Sequence, residues 1–403
     1  MKQPELLVPA GNIEKLRTAI NYGADAVYVG GEHFGLRALA GNFSLADLRL
    51  ARTLTQDAGK RLYLTLNAYL RPSEFPALEA YLAALQPLAI DAYIVSDPGV
   101  LATVRRCAPQ REIHLSTQAN TGNAAAAKFW REAGVSRINL AREATLDDLR
   151  AISADSGVEV EVFVHGAMCV AYSGRCLLSA AMTGRSANAG ACAHPCRWKY
   201  ALVEETRPAE SFPIEEDARG TYIMNSRDLC LIDHLPEVLS AGATSLKIEG
   251  RMKSVYYVAV VSRVYRAALD AWRADPATYR CNPLWRQELE KVSHRPYASG
   301  FLFGQDDPLI EPQRSGYLRS TDFIGMVESV SAEGRALVIG RNRFFPGEQL
   351  ELIGPALRQS RFTVATLHSE EGTVLTVGQP NARIVMTLPS GARSGDILRR
   401  DNS

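Results

Sequence analysis

The chain has 403 residues, 46% of them hydrophobic and 22% charged, with 45 Lys and Arg against 44 Asp and Glu. These proportions exclude disorder, collagen and coiled coil as the main architecture, and the balanced charge excludes a global field that would draw in nucleic acid. The length suits two domains, or one large barrel with a small appendage, and a core that needs neither disulfide nor metal.

The opening MKQPELLVPAGN has no apolar h-region and does not read as a signal peptide. No run of about 18 apolar residues exists, so no membrane span is predicted. Seven Cys in a chain read as cytoplasmic favour reduced thiols, metal or cluster ligands, or a nucleophile over a disulfide framework.

Short β-rich runs then alternate with helical patterns. Strands are predicted at Glu5–Pro9, Asp25–Gly30, Arg61–Asn67, Ala92–Ser96, Glu112–Gln118, Arg137–Ala141, Glu159–Val164 and Ser245–Glu249. Helices are predicted at Ile13–Tyr22, Leu45–Ala58, Pro76–Leu88, Ala124–Ala133, Leu146–Ser153, Arg227–Ala241 and Ser254–Ala274, with cap signals at Ser44 and Thr145. Parallel strands need crossover helices, so the pattern reads as α/β, a (β/α)8 TIM-like barrel over residues 1–275. A doubly wound sheet is the alternative, but Pro9-Ala10-Gly11-Asn12 is not its phosphate turn.

After the seventh strand the rhythm breaks. An insertion over 165–224 carries four of the seven Cys and an acidic stretch, Glu204 to Asp217. Residues 276–314 read as a linking or wrapping segment. From 315 to 403, short strands punctuated by Gly and Pro predict a small β-barrel domain. Its 11 Arg against 9 acids over 314–403 lean faintly toward phosphate contacts, and a solvated barrel surface is the stronger reading.

The strongest chemical signal is Cys169-x6-Cys176-x15-Cys192-x3-Cys196. Four thiolates complete the shell of a zinc ion or an iron–sulfur cluster, and the spacing leaves both, and uncoordinated thiols, open. His165 or His194 could replace one Cys, and Cys230, read as a helix start, could serve as the fourth. A second signal is polar residues at period two near strand ends: Thr65 and Asn67; His114, Ser116, Gln118 and Asn120; Lys247 and Glu249, then Arg251; and Arg142-Glu143 after strand six. They predict either a polar barrel mouth suited to an anionic ligand or an ion-pair network closing the barrel. H-E-x-x-H, G-x-S-x-G and Walker A motifs are absent; a Cys–His protease pair of Cys169 with His165 is conceivable, but spending Cys169 on a cluster excludes it.

The run Glu161-Val-Phe-Val-His165-Gly-Ala-Met-Cys169-Val-Ala-Tyr-Ser173-Gly-Arg-Cys176-Leu-Leu-Ser179 resembles the signature of the collagenase-like U peptidases, family thirty-two. Glu5 to Gly11, Gly23 to Tyr28, His114 to Asn120 and Ser245 to Arg251 resemble it too. Cys192 to Trp198 and Gly220 to Ser226 are most similar to the family's tRNA-hydroxylating branch. The resemblance implies a cytoplasmic bacterial protein forming 5-hydroxyuridine at the wobble position of tRNA, linked to prephenate and to iron–sulfur supply. It puts Cys169, Cys176, Cys192 and Cys196 at cluster positions, expected to hold a 4Fe–4S cluster. Lys247, Glu249, Arg251, Gln118 and His165 are the candidate catalytic residues, the first, third and fourth holding prephenate. Relatives act in ubiquinone-ring and rRNA hydroxylation, so the alternatives are a true peptidase or a cluster-binding accessory protein. The expected partners are tRNA and a small anionic cosubstrate, and no membrane.

Overall fold

The computed structural model describes residues 3–36, 41–169, 171–195, 226–304, 317–332 and 334–402, with short strand pieces between 202 and 222. Eight parallel strands close a barrel: Glu5–Pro9, Ala26–Gly30, Arg61–Leu66, Ala92–Val95, Glu112–Leu115, Arg137–Asn139, Glu159–Ala167 and Ser245–Ile248. The last pairs with both the first and the seventh. Each strand places alternate side chains inside and outside, and the outward Leu, Val and Ile pack under a ring of helices. Ser44 and Thr145 each form the reciprocal capping box that their sequence context predicts.

Two helices of the barrel differ from expectation. A helix at Pro98–Cys107 was not predicted, although Asp97 caps it and Pro98 starts it. The helix expected at Arg227–Ala241 spans only Leu235–Ser240. Its first part is instead a strand, Asp228–Cys230, antiparallel to the end of the seventh barrel strand. Buried Arg295 holds it there, with Nε 3.2 Å and Nη2 3.0 Å from the Asp228 carboxylate. This tertiary ion pair overrides local helix propensity.

Residues 276–304 contain the helix Pro283–Glu290, which the sequence reading did not predict. The C-terminal unit is an eight-stranded antiparallel sheet curled into a half-barrel around its own core. Its final strand, Ile397–Asp401, also unpredicted, lies centrally between Gln349–Ile353 and Thr321–Val330. Ile353 and Ile397 join the barrel's core. Beside them Glu288 receives Arg399 and Arg263, and Arg399 also reaches Glu351 at 2.7 Å. Burial alone would raise the Glu288 carboxyl, but the two guanidiniums hold it down at about 2. Among the described residues no helix is long and apolar enough to cross a membrane.

Candidate active site at the barrel mouth

Inside the barrel, the polar residues divide into two layers. The lower layer is a buried ion network. Arg137 lies 2.5 Å from Glu5, 2.8 Å from Glu159 and 3.7 Å from Glu161. Lys247 Nζ donates to Glu161 at 2.7 Å. Burial alone would raise the Glu161 carboxyl, but Lys247 and Arg137 hold it below its ordinary value. His114 belongs to this layer, its ring bonded to Glu112 at 3.0 Å, and burial lowers its pKa.

The upper layer opens into a cavity of about 380 Å3 at the C-terminal ends of the strands. Lys247, Glu249, Arg251 and Gln118 line it, with Thr65, Asn67, Ser116 and Arg142. Cys169, Cys176 and Cys192 line the same cavity. The two sequence signals therefore meet at one place.

Several of these side chains already have protein partners. Arg251 reaches the Leu36 carbonyl and, at 3.3 Å, Thr65 Oγ1, so it pins the loop after the second strand. Gly30 leaves room for it: a Cβ there would fall 1.8 Å from Arg251 Nη1, and the guanidinium would have to shift. Glu249 accepts from Tyr28 Oη at 3.1 Å. Lys247 also lies over the Tyr28 and Phe163 rings, at 4.7 and 5.4 Å. Arg142 covers Phe163 at 4.4 Å. On the cavity wall, Asn139 is 2% exposed and its Oδ1 accepts no hydrogen bond from the described residues, an acceptor left for a ligand N–H or O–H.

The cysteine-bearing lobe is anchored, not draped. Ser173 Oγ donates to Glu143 at 3.0 Å, and Tyr69 N–H donates to the Asn188 carbonyl at 3.1 Å. Gly174 has φ +71°, and a Cβ there would meet the Gln118 carbonyl at 2.0 Å. Asn120 and Glu143, expected at the mouth, instead brace the lobe through Ser173, while Ser116 stays on the cavity wall and accepts from Asn67. The backbone N–H of His194, itself at φ +58°, donates to Cys192 Sγ at 3.4 Å. Such N–H donors stabilise a thiolate.

His165 is not at the cavity. Period two would turn it inward with Glu161 and Phe163, but the seventh strand carries a bulge. Lys247 faces Phe163, and Ile248 faces His165, so Val164 is the extra residue and His165 turns outward. There it is 1% exposed, among Tyr257, Tyr265 and Tyr297. The Cys169–His165 pair is therefore not assembled. Cys230 is likewise buried in its strand, away from the cavity, and burial pushes its thiol up to about 11. Cys196 lies outside the described residues.

Burial lowers His165 to about 3 from an ordinary 6.5. The unfolded chain takes up that proton below pH 6.5 and the folded one does not, so the contribution is complete above pH 6.5 and lost as pH falls toward 3. Urea unfolding at pH 7 and pH 5 should show this loss, and His165→Phe should flatten it. An equally steep decline in the variant would refute the assignment.

Thiols on one cavity wall fit a metal or cluster in kind. Among the described residues, however, no three Cys, His, Asp or Glu side chains approach closely enough to hold a metal ion. Phe163, Tyr28, Asn139 and Tyr172 line the site without having been expected there, whereas Arg142 was expected at the mouth and lines it. Strand alternation from Glu161 and Lys247 was the available signal for Phe163.

A family profile described as peptidase family U32 matches residues 11–311, and one for the family's C-terminal domain matches 319–399. The chain is 39% identical to tRNA hydroxylation protein P1 of Bacillus subtilis (strain 168), over 95% of this chain and 91% of that protein. It is 34% identical to tRNA hydroxylation protein P of Escherichia coli (strain K12), over 94% and 92%. It is also 34% identical to a collagenase of Porphyromonas gingivalis (strain ATCC BAA-308 / W83), over 98% and 97%.

Proposed function

Because the chain belongs to peptidase family U32, we propose that it acts in tRNA hydroxylation, forming 5-hydroxyuridine at the wobble position in the cytoplasm. The observation that carries this reading is the near full-length similarity to proteins named for tRNA hydroxylation. The chemistry of the cavity agrees with it. Carbon five of a paired or stacked uracil is out of reach, so the base must swing out of the RNA and enter the cavity. Asn139 Oδ1 offers an acceptor to the base edge. Lys247 and Arg142 give the cavity cationic character for a small carboxylate, with prephenate as the proposed cosubstrate and Gln118 beside it. Arg251 positions the loop that closes one side.

Cys169, Cys176 and Cys192, with Cys196, would hold the 4Fe–4S cluster proposed here. When bound, such a cluster supplies one-electron transfer. The protein's own part is to place base and carboxylate against that wall and to exclude bulk water.

A peptidase is the second reading, favoured by the collagenase relative. Against it stands the outward turn of His165, which separates the expected base from Cys169. Deleting the gene and analysing tRNA nucleosides tests the proposal. Loss of 5-hydroxyuridine derivatives, restored by the intact gene, is expected. An unchanged nucleoside profile would overturn the reading.

A further inference from the structure

We propose that the outer face of the cysteine-bearing lobe is the RNA-docking surface, with Tyr172 the platform on which the entering base or its neighbour stacks. The inference rests on the tRNA reading above and names the surface that the reading lacks. Three observations carry it.

The first is exposure of apolar groups at the mouth. Tyr172 is 69% exposed, Leu177 72% and Met252 56%. Tyr172 and Met252 also line the cavity, so the patch is continuous with the site. An exposed aromatic at a cavity rim is what a splayed nucleobase stacks on, whatever its sequence.

The second is charge. From Val162 to Val203 the sequence contains no Asp or Glu, in a chain with 44 of them. Within the described lobe, Arg175 and Arg185 are exposed. Phosphates approaching the described part of this face, residues 171–195, meet cations and no carboxylate from that stretch.

The third is where the other arginines are spent. The C-terminal half-barrel, whose Arg count leans faintly toward phosphate contacts, commits many of its arginines to carboxylates of the chain. Arg358 binds Asp396, Arg383 binds Glu328 and Glu370, Arg399 binds Glu288, and Arg400 binds Glu348 and Asp322. Arg341 binds Glu14 of the barrel. Residues 171–195, the described part of the lobe, contain no acid to pair with Arg175 and Arg185.

The platform is rigid enough to preorganise a base. Ser173, next to Tyr172, is buried and bonded to Glu143, and Gly174 packs on the Gln118 carbonyl. The exposed ring thus rises from a fixed backbone.

The test measures binding of a transcribed wobble-uridine tRNA to the purified full-length protein, with rescue of the deletion strain in parallel. Tyr172→Ala should weaken binding about tenfold or more and Tyr172→Phe should retain it, because stacking needs the ring and not the hydroxyl. Arg175→Ala should reduce the slope of log K against log salt by about 0.7 to 0.9. Undiminished binding by both Tyr172→Ala and Arg175→Ala would overturn the proposal. So would Tyr172→Ala binding tRNA normally while failing to rescue, since the surface would then serve another macromolecule. The nucleoside profile of the deletion strain decides the underlying tRNA reading separately.

Discussion

Alanine at Cys169 or Cys176 is expected to abolish tRNA hydroxylation and, in protein purified anaerobically, to remove the brown colour and most of the bound iron. Both thiols line the cavity beside Lys247 and Gln118, and neither is in a disulfide. A four-thiolate shell that loses one member cannot be completed by Cys230, which is sealed in its strand with its thiol pushed up to about 11. The controls are Cys107→Ala and Cys281→Ala, at half-buried positions outside the cavity, which should keep colour and activity. Because Cys169 is exposed, its truncation leaves no core cavity, so a fold defect is not expected to mimic the result. Iron, sulfide and zinc analysis of the same samples separates the metals. A colourless Cys169→Ala protein that still hydroxylates tRNA would refute the cluster reading, and stoichiometric zinc in place of iron would replace it.

Replacing Arg137 with Met should cost about 3–5 kcal/mol of unfolding free energy, the range for stranding a buried charge. Arg137 is the shared cation of Glu5, Glu159 and Glu161 in the barrel floor. Without it, Glu161 keeps Lys247 and the Ser245 hydroxyl, and Glu5 keeps hydroxyl partners such as Tyr63 and Ser245. The effect should extend to the cavity. Lys247 is held at Glu161 and projects beneath the mouth, so altered charge on Glu161 shifts the lysine that lines the site. Urea denaturation of the wild type and Arg137→Met, compared at pH 7, reads the first effect. A loss below about 1 kcal/mol would mean that water or rearranged partners satisfy these carboxylates, and that the floor is not a dry ion network.

Much of the scaffold was legible in the chain because the signals were local. All eight barrel strands lie within a few residues of their expected places, since alternation of Leu, Val and Ile between short turns is a property of each segment alone. Ser44 and Thr145 announced their helices through side chains three residues from their partners. The polar sets on strands three, five and eight were also readable, because period two assigns a face. Whether those sets made a mouth or a floor was not readable. Height along the barrel axis separates His114 in the ion network from Gln118 in the cavity, and that height depends on strand stagger.

The sequence by itself therefore determined the barrel, the extra domain, the cysteine cluster in one long connection and the cationic strand end at Lys247. Tertiary structure alone decided the rest. One inserted residue at Val164 turned His165 from the cavity to an aromatic cage, and a bulge is visible only in the pairing of two strands distant in sequence. Arg295, 67 residues from Asp228, converted an expected helix into a strand and buried Cys230 with it. Glu288 and Glu351 claimed Arg399, which composition alone would have offered to phosphate. In each case the deciding contact joins residues far apart in the chain, and no local periodicity encodes such a contact.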